Sequence, residues 1–462
     1  MAHDRQNNVT KRKRGRSKTN RGNADRISAL PDSVLCHILS YIPTKHAVAT
    51  SVIAKRWKNV WTAVPNLSFD DRLCLRPPAS TYVPLRGFAD FVHTVLLRTN
   101  PVKIGKFSLY CSRPTNLARF YDWIATALMR EVGEIQLYLG QQSRVELPEA
   151  IYSAACLKVL TLDSDFSIQV PSSGTCFPSV KILSVRLENP EKSVTENLFC
   201  SCPSLEELSV TCELHDDTPP PNLIISSATL KTCKLTVRSE DMLFREVDYM
   251  LTITAPKLES LEIYSDLLGS FVMHDLHSLK KVKLDIMHAE WAQVDPYRAI
   301  QLLAGINSCK YLHLSAGIMS AVDHACDSCF PSFSQLNYIE MGVGPIGWRV
   351  LPIVLRSSPN LESLVLHKEC WFQFTEEQFG WLESDFDVPH CLVHTVKNIE
   401  IKGVQGDEDE RPLLKYLLQF AAAMEKMLMW AKASVPKENR ATIRESILQL
   451  PRASMKTTIE IK

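Results

Sequence analysis

The side chains best suited to metal chemistry lie in the segment DHACDSC. His324, Cys326 and Cys329 are of the types that bind zinc. A closed structural zinc site takes four ligands, usually from two paired clusters. No second Cys-x-x-Cys occurs in the chain, and Cys200 and Cys202 are distant and fall inside a repeat that accounts for them. We therefore predict neither a metal site nor a cofactor.

Motifs that support catalysis are missing as well. The sequence contains no G-x-x-x-x-G-K-[ST] and no G-x-S-x-G, so neither a nucleotide P-loop nor a hydrolase nucleophile elbow is indicated. The acidic run 407–410 is most simply a solvated loop, because nothing in the sequence pairs two carboxylates for acid–base work. The prediction is a protein that is not itself a catalyst.

Positive charge is concentrated at the N-terminus. Residues 1–24 contain eight Lys or Arg and one acid, Asp4, although the whole chain has a formal net charge of only +1. These residues lack apolar periodicity, which is typical of a disordered tail. The run KRKRGRSK (residues 11–18) is either a nuclear-import signal or a solvated basic tail. Nucleic-acid binding is disfavoured, because no recognition helix follows.

Composition favours a soluble protein of the cytoplasm or nucleus. Hydrophobic residues make up 45% and charged residues 22% of the chain, as in ordinary globular proteins. No apolar run approaches the length of about 20 residues that a membrane-spanning helix needs. The polar N-terminus does not resemble a secretory signal, so we expect the 14 cysteines to be reduced thiols.

With 462 residues, the chain should contain more than one structural unit. The first is helical. Val34, Leu35, Ile38, Leu39 and Ile42 form one stripe of an amphipathic helix, which a proline ends. Two further short helices should follow before residue 65. Three short helices cannot bury enough surface to be robust alone, so one face should pack against something else.

Residues 24–71 resemble a plant F-box. The resemblance rests on Leu30-Pro31, on Asp32, and on a run that contains Ser51, Val52, Lys55, Arg56, Trp57 and Trp61. It departs from the commonest form at Ala49 and Ala54, where Arg and Ser are frequent. The resemblance implies binding to a Skp1-like protein, which links to a cullin and a ubiquitin-conjugating enzyme. The implied contact residues are Leu30, Pro31, Leu35, Ile38, Val52 and Trp57.

Beyond residue 100, one pattern recurs eleven times: an apolar residue, two others, and then two apolar residues separated by one. Its first occurrence starts at Ile104 and its last at Leu361, with steps of 21 to 30 residues. Most steps match the period of leucine-rich repeats, so we predict a parallel-sheet solenoid over 100–370. The asparagine that usually supports the turn after each strand is missing or replaced, which predicts an irregular solenoid.

The residues between the leucines should point to the concave side, because side chains alternate along a strand. Tyrosine and histidine among small polar residues make a plausible recognition surface in the C-terminal half. The predicted target-binding residues are Tyr264, Lys283, Tyr311, His313, Tyr338, Glu340 and His367.

Residues 386–462 break the repeat and resemble an FBD domain. The resemblance rests on segments 388–392, 396–403, 413–418 and 451–454. We predict helices at 413–423 and 440–448 and strands at 426–430 and 457–461. Because a solenoid needs an end cap over its last leucines, capping is the predicted role of this unit.

These observations predict an α/β chain with four parts: a basic tail (1–24), a three-helix F-box (25–71), a leucine-rich-repeat solenoid (100–370) and an α/β FBD cap (386–462). The predicted function is that of a substrate-recognition adaptor in an SCF-type ubiquitin ligase. The F-box would bind a Skp1-like protein and, through it, a cullin, while the repeats would bind an unknown target protein. Three alternatives stay open: an F-box scaffold outside a ligase, a nucleic-acid-binding protein led by the tail, and an enzyme with an unfamiliar site.

Overall fold

The computed structural model describes most of the chain, and every structural statement below concerns the residues that it describes. These are residues 25–74, 86–99, 103–112, 117–140, 145–169, 175–215, 222–239, 249–266, 269–286, 296–322, 329–343, 350–368, 388–406 and 410–462.

One long parallel sheet forms the concave layer. Its main path follows the order β1-β2-β3-β5-β6-β7-β9-β11-β13-β14-β15-β16-β17-β18-β19, and the short β4 pairs with β5. The strands are β1 (Asn66–Asp70), β2 (Lys106–Cys111), β3 (Glu134–Leu139), β4 (Val145–Glu146), β5 (Val159–Ser167), β6 (Ile182–Glu188), β7 (Glu207–Leu214), β8 (Asn222–Ser226), β9 (Thr232–Ser239), β10 (Met250–Thr254), β11 (Ser260–Ser265), β12 (Ser270–His274), β13 (Lys281–Ile286), β14 (Tyr311–Leu314), β15 (Tyr338–Val343), β16 (Ser363–Lys368), β17 (Asn398–Val404), β18 (Lys426–Ala431) and β19 (Thr458–Ile461).

Helices form the N-terminal unit and most of the convex layer. They are α1 (Asp32–Leu39), α2 (Thr44–Ala49), α3 (Arg86–Arg98), α4 (Leu117–Met129), α5 (Glu149–Tyr152), α6 (Lys192–Cys200), α7 (Pro296–Gly305), α8 (Ala316–Val322), α9 (Leu351–Arg356), α10 (His390–His394), α11 (Arg411–Phe420) and α12 (Lys437–Leu448). Three 3₁₀ segments, Thr50–Val52, Lys55–Ala63 and Asp71–Cys74, complete the N-terminal region. The predicted third helix of that region is therefore a 3₁₀ segment. Among the described residues, no helix has the length and hydrophobicity that crossing a membrane requires.

The alternation predicted from the leucine pattern is present in the strands. In β11, Leu261 and Ile263 are fully buried, whereas Glu262 and Tyr264 are partly exposed on the concave side. Each repeat therefore adds its leucines to one continuous core, and that shared core makes stacked repeats mutually dependent.

At three turns, a polar side chain takes the place of the missing ladder asparagine. Ser164 Oγ accepts the Leu139 N–H at 2.8 Å and donates to the Leu139 carbonyl, and Ser315 Oγ bridges Ile286 in the same way. Asn189 Oδ1 accepts the His215 N–H at 2.9 Å. These side chains satisfy backbone groups at the ends of neighbouring strands, which would otherwise be left unpaired.

The convex layer is built from strands in the middle of the solenoid. There β8, β10 and β12 form a second parallel sheet, in the order β12-β10-β8, with α6 packed beside β8 and α7 beside β12. Leu251 of β10 is paired in register with Leu223 and Phe271, and all three side chains are buried. The return segments of three consecutive repeats are thus strands rather than helices.

Both terminal units join the concave sheet. Strand β1 lies within the predicted F-box, and Thr44 Oγ1 of α2 accepts the Ser68 N–H of β1 at 2.8 Å. At the other end, β17, β18 and β19 of the predicted FBD unit extend the sheet in register from β16. The sheet therefore spans more of the chain than the predicted 100–370, and it continues through both flanking units.

Candidate functional sites

The N-terminal helical unit contributes Leu39, Ala47 and Val60 to the buried core that continues into the repeats. Leu35 is 0% exposed and Trp57 is 5% exposed in this core. The Trp57 Nε1–H also donates to Ser28 Oγ at 2.8 Å. Leu35 and Trp57 were predicted as partner contacts; in this structure both side chains are buried and pack within the unit.

Exposed apolar side chains are concentrated in the same unit. Fifteen large hydrophobic side chains are exposed in the described part of the chain, and six of them fall within residues 27–53. We call this set the F-box face: Ile27, Val34, Ile38, Tyr41, Val52 and Ile53. Clustered exposed apolar residues are typical of a protein-interaction surface. Ile38 and Val52 are among the predicted contact residues, and the other four are not.

The Leu30-Pro31 segment is held in place beside this face. Leu30 is half-buried against the core and Pro31 is exposed. The Arg56 guanidinium donates to the carbonyls of Ser28 and Leu30, and its Nη2 lies 3.0 Å from Asp32 Oδ1. Arg56 thus fixes the backbone that presents Pro31, a role that the sequence motif did not reveal.

Five polar side chains from four adjacent strands meet on the concave face around one carboxylate. We call Tyr311, His313, Glu340, His367 and Lys402 the Glu340 cluster. Tyr311 Oη donates to Glu340 Oε2 at 3.1 Å, and His313 Nδ1 lies 3.5 Å from the same oxygen. Glu340 Oε1 is hydrogen-bonded to His367 Nε2 and lies 3.3 Å from Lys402 Nζ. Four of these residues are predicted recognition residues, and Lys402 is not.

The cluster perturbs the ionisation of its members. Burial opposes the charge on Glu340, but the hydrogen bond with His367 and the nearby Lys402, His313 and His367 outweigh it and lower the Glu340 pKa to about 2. Burial lowers the pKa of His313, and Glu340 only partly offsets that effect. Burial, with the neighbouring Tyr338 and Glu340, raises the pKa of Tyr311. Glu340 is therefore a firmly ionised acceptor at neutral pH.

Aromatic rings capped by cations border the cluster. The Tyr311 and Tyr338 rings stack with centroids 4.4 Å apart, and Lys281 Nζ lies 5.3 Å from the Tyr311 centroid. The Tyr264 ring lies between two lysines: Lys234 Nζ is 5.0 Å and Lys283 Nζ is 4.9 Å from its centroid. The predicted recognition residues thus form two neighbouring groups on one face, with contacts that hold the rings in fixed orientations.

A similar stack near the N-terminal end was missed. The Tyr110 and Tyr138 rings stack 3.9 Å apart, and the Arg72 guanidinium carbon lies 3.6 Å from the Tyr110 centroid. Arg72 also forms an ion pair with Asp70 at 2.7 Å. The alternation of β2 and β3 could have indicated the two tyrosines. Arg72 was not predicted because it lies in the 3₁₀ segment after β1, between the predicted F-box and the predicted solenoid.

The candidate zinc segment lies partly outside the described residues. His324 and Cys326 are not described, and Cys329 is exposed. Among the residues that are described, no group of three or more His, Cys, Asp or Glu side chains is arranged to hold a metal ion. Burial raises the pKa of the Cys202 and Cys233 thiols to about 12, so these groups are unreactive core residues.

The predicted acidic loop is described only at its last residue. Residues 407–409 lie outside the described ranges, and Glu410 is not solvated as predicted. Its side chain is 9% exposed, and its Oε1 lies 2.7 Å from Lys368 Nζ.

A glycine spacing of the G-x-G-x-x-G type occurs at Gly342, Gly344 and Gly347. Gly342 pairs with His367 inside the sheet, and the rest of that spacing is not described.

Three family models match successive parts of the chain. The F-box domain model matches residues 27–69. The model of the LRR repeats of FBD-associated F-box protein At5g56370 matches residues 120–291. The FBD model matches residues 386–429. The matches follow the same order along the chain as the helical unit, the repeats and the C-terminal unit of the structure.

Curated relatives from Arabidopsis thaliana are named for two or all three of these parts. F-box/FBD/LRR-repeat protein At1g13780 is 29% identical, with 95% of this chain and 98% of the relative covered. F-box/LRR-repeat protein At4g14103 is 29% identical over 74% of this chain and 92% of the relative. The solved "Crystal structure of TLR13-ssRNA13 complex" matches with a TM-score of 0.28 and 14% identity, covering 79% of this chain and 60% of that one. That likeness is too low to support a conclusion.

Proposed function

Because the chain carries an F-box, leucine-rich repeats and an FBD, as plant F-box/FBD/LRR-repeat proteins do, we propose that it is a substrate-recruiting adaptor of an SCF-type ubiquitin ligase. In this proposal the F-box face binds a Skp1-like protein and, through it, a cullin. The concave face of the repeats binds the target protein.

The observation that carries the proposal is the exposed F-box face. Val52 is 86% exposed and Ile53 is 64% exposed, although both follow a short helix whose other side is buried. Each exposed aliphatic side chain that a partner fully covers contributes about 1.5–3 kcal/mol of hydrophobic stabilisation. The buried Leu35 and Trp57 support this face from beneath, so the unit presents a formed surface to its partner.

The adaptor would act by proximity rather than by chemistry. Holding a target near a ubiquitin-charged enzyme converts an encounter in solution into one at high effective concentration. In this account the chain supplies two binding faces and no catalytic group. We further propose that it works in the nucleus, the cytoplasm or both, with the run at 11–18 as the candidate import signal.

Co-purification of the full chain with a Skp1-like protein tests the proposal. The informative variant is Val52→Lys with Ile53→Lys, which places two charges on the F-box face. Loss of two apolar contacts at the centre of an interface typically weakens binding by at least about 100-fold. The Leu30→Ala/Pro31→Ala double variant tests the neighbouring segment in the same assay.

The matched control places lysines on equally exposed apolar residues away from this face. Leu97 is 71% exposed and Met129 is 78% exposed, both on helices of the convex layer. Leu97→Lys with Met129→Lys should leave Skp1-like binding unchanged. If the folded wild-type chain does not bind, the ligase role is wrong, and an F-box scaffold outside a ligase becomes the better account.

A further inference from the structure

Charge is segregated by sign along the concave face. The same holds for its rim, which is formed by the residue just before each strand. In residues 158–164, 181–188 and 206–214, around β5 to β7, three Lys or Arg accompany five Asp or Glu. In residues 231–239, 259–266, 280–286 and 310–314, around β9 to β14, seven Lys or Arg accompany four Asp or Glu. The strands from β15 to β19, with the residue before each, carry four Lys or Arg and five Asp or Glu, so this section is nearly neutral. A basic section therefore lies between an acidic section and a neutral one.

Several cations of the basic section have no carboxylate partner. Lys231 and Lys280 are paired with Glu206 and Glu259, at 2.7 and 2.9 Å. Four further cations are exposed and have no ion pair within the described part of the chain. We call these four the basic strip: Lys234, Arg238, Lys281 and Lys310. In the Glu340 cluster next to it, by contrast, Lys402 has carboxylate neighbours.

The strip has the dimensions of a short peptide site. It extends from β9 across β11 and β13 to β14, which are successive neighbours in the sheet. Three inter-strand steps of about 4.8 Å separate β9 from β14 by about 14 Å, and Lys310 is offset from the level of Lys234 by three residues, or about 10 Å, along the strands. An extended peptide of about five to six residues spans the resulting distance of about 17 Å, and Arg238 lies four residues beyond Lys234 on β9. The Lys234 and Lys281 ammonium groups rest against the Tyr264 and Tyr311 rings, so less side-chain entropy is lost when they bind an anion.

We propose that the basic strip binds an acidic segment of the target protein, rich in Asp and Glu. This inference rests on the proposed function, in which the concave face receives the target. The unpaired cations supply the charge complementarity, and the acidic section around β5 to β7 repels the same segment. Opposite signs on adjacent sections thus fix where along the solenoid the acidic segment lies.

Fluorescence anisotropy with the full chain tests the proposal directly. The probe is a short fluorescein-labelled peptide of alternating Glu and Gly, compared with otherwise identical Gln–Gly and Lys–Gly peptides. We expect the Glu–Gly peptide alone to bind, and more weakly as salt is added. Lys234→Gln/Lys281→Gln/Lys310→Gln should weaken binding by about tenfold, the combined size of three surface ion pairs.

The matched control is Lys158→Gln/Lys257→Gln/Lys397→Gln, three exposed lysines outside the strip. The control should bind as the wild type does, and both variants retain the basic residues 1–24. Carbodiimide cross-linking and peptide mapping then locate the bound peptide, with products expected at Lys234, Lys281 or Lys310. Equal binding by both variants, or cross-links confined to residues 11–18, would overturn the proposal.

Other outcomes separate this inference from the proposed function. Stronger binding of a short DNA of equal charge than of the Glu–Gly peptide would reject an acidic protein segment. A phosphoserine–glycine peptide that binds while Glu–Gly does not would also reject it. The anisotropy assay contains no Skp1-like protein, so peptide binding without Skp1-like binding leaves this inference standing and removes the ligase role.

Discussion

A buried ion pair joins the last repeat to the C-terminal unit, and its loss gives a sharp prediction. Lys368 Nζ at the end of β16 lies 2.7 Å from Glu410 Oε1 at the start of α11, and the two side chains are 4% and 9% exposed. Glu410 also accepts the backbone N–H groups of Gln405 and Gly406 at 2.9 and 3.0 Å. One carboxylate therefore neutralises a buried cation and closes the loop after β17.

The expected cost follows from this geometry. Glu410→Gln keeps an acceptor oxygen but removes the carboxylate that lies 2.7 Å from the buried Lys368 ammonium, which should cost up to about 3–5 kcal/mol. Lys368→Met removes the cation while Glu410 keeps both backbone donors, so we expect about 1–3 kcal/mol. The double variant should cost less than the sum of the two, with a coupling energy above about 1 kcal/mol.

Hydrogen exchange followed by mass spectrometry is the suitable assay. A solenoid is held together by nearest-neighbour contacts, so the effect should be local. In Glu410→Gln, protection of β17 to β19 should fall by about two to three orders of magnitude, since 1.4 kcal/mol is a factor of ten. Protection of β2 and β3 should not change. Uniform loss of protection along the chain, or full additivity in the double variant, would refute the reasoning.

Three further predictions follow from single residues. Leu35→Ala should destabilise the N-terminal unit by about 2–5 kcal/mol in urea unfolding, whereas Val52→Ala should change its stability by less than about 0.5 kcal/mol, because only Leu35 is buried. The Glu340 pKa is held at about 2, below its ordinary value of about 4.3. The ionised Glu340 therefore contributes its full stabilisation of the fold above about pH 4.3. This stability should disappear as pH falls from about 4.3 towards 2, and Glu340→Gln should flatten the loss in an acid-unfolding series. Gly406→Ala should cost about 1–2 kcal/mol by thermal unfolding, because φ is +84° there and the new methyl group would collide with α12; an unchanged midpoint would contradict it.

The repeat period and the strand alternation were readable from the sequence, because each leucine must be buried and its neighbour must then face outward. Tyr311, Tyr338 and Glu340 are therefore on the predicted face. The alternation does not reveal which distant residues meet. Lys402 is 35 residues beyond His367, yet it is the paired residue on the next strand, with its Nζ 3.0 Å from His367 Nε2.

Other features were not predictable for similar reasons. The strands β8, β10 and β12 take the place of convex helices, and short apolar runs do not distinguish a buried strand from a buried helix. The sequence places Glu410 in a solvated acidic loop. Its burial could not be predicted, because its ion-pair partner Lys368 is 42 residues away in the sequence. In the N-terminal unit the amphipathic stripe identified a helix, but it did not separate Leu35 in the core from Ile38 on the surface.

Isothermal titration calorimetry of the full chain with a Skp1-like protein, at several temperatures, tests the adaptor account most directly. The account predicts saturable binding with a negative heat-capacity change, because apolar side chains of the F-box face are buried on association. It also predicts at least about 100-fold weaker binding for Val52→Lys/Ile53→Lys and unchanged binding for Leu97→Lys/Met129→Lys. A folded wild-type chain that gives no binding heat at any temperature, and does not co-purify with the Skp1-like protein, would contradict it.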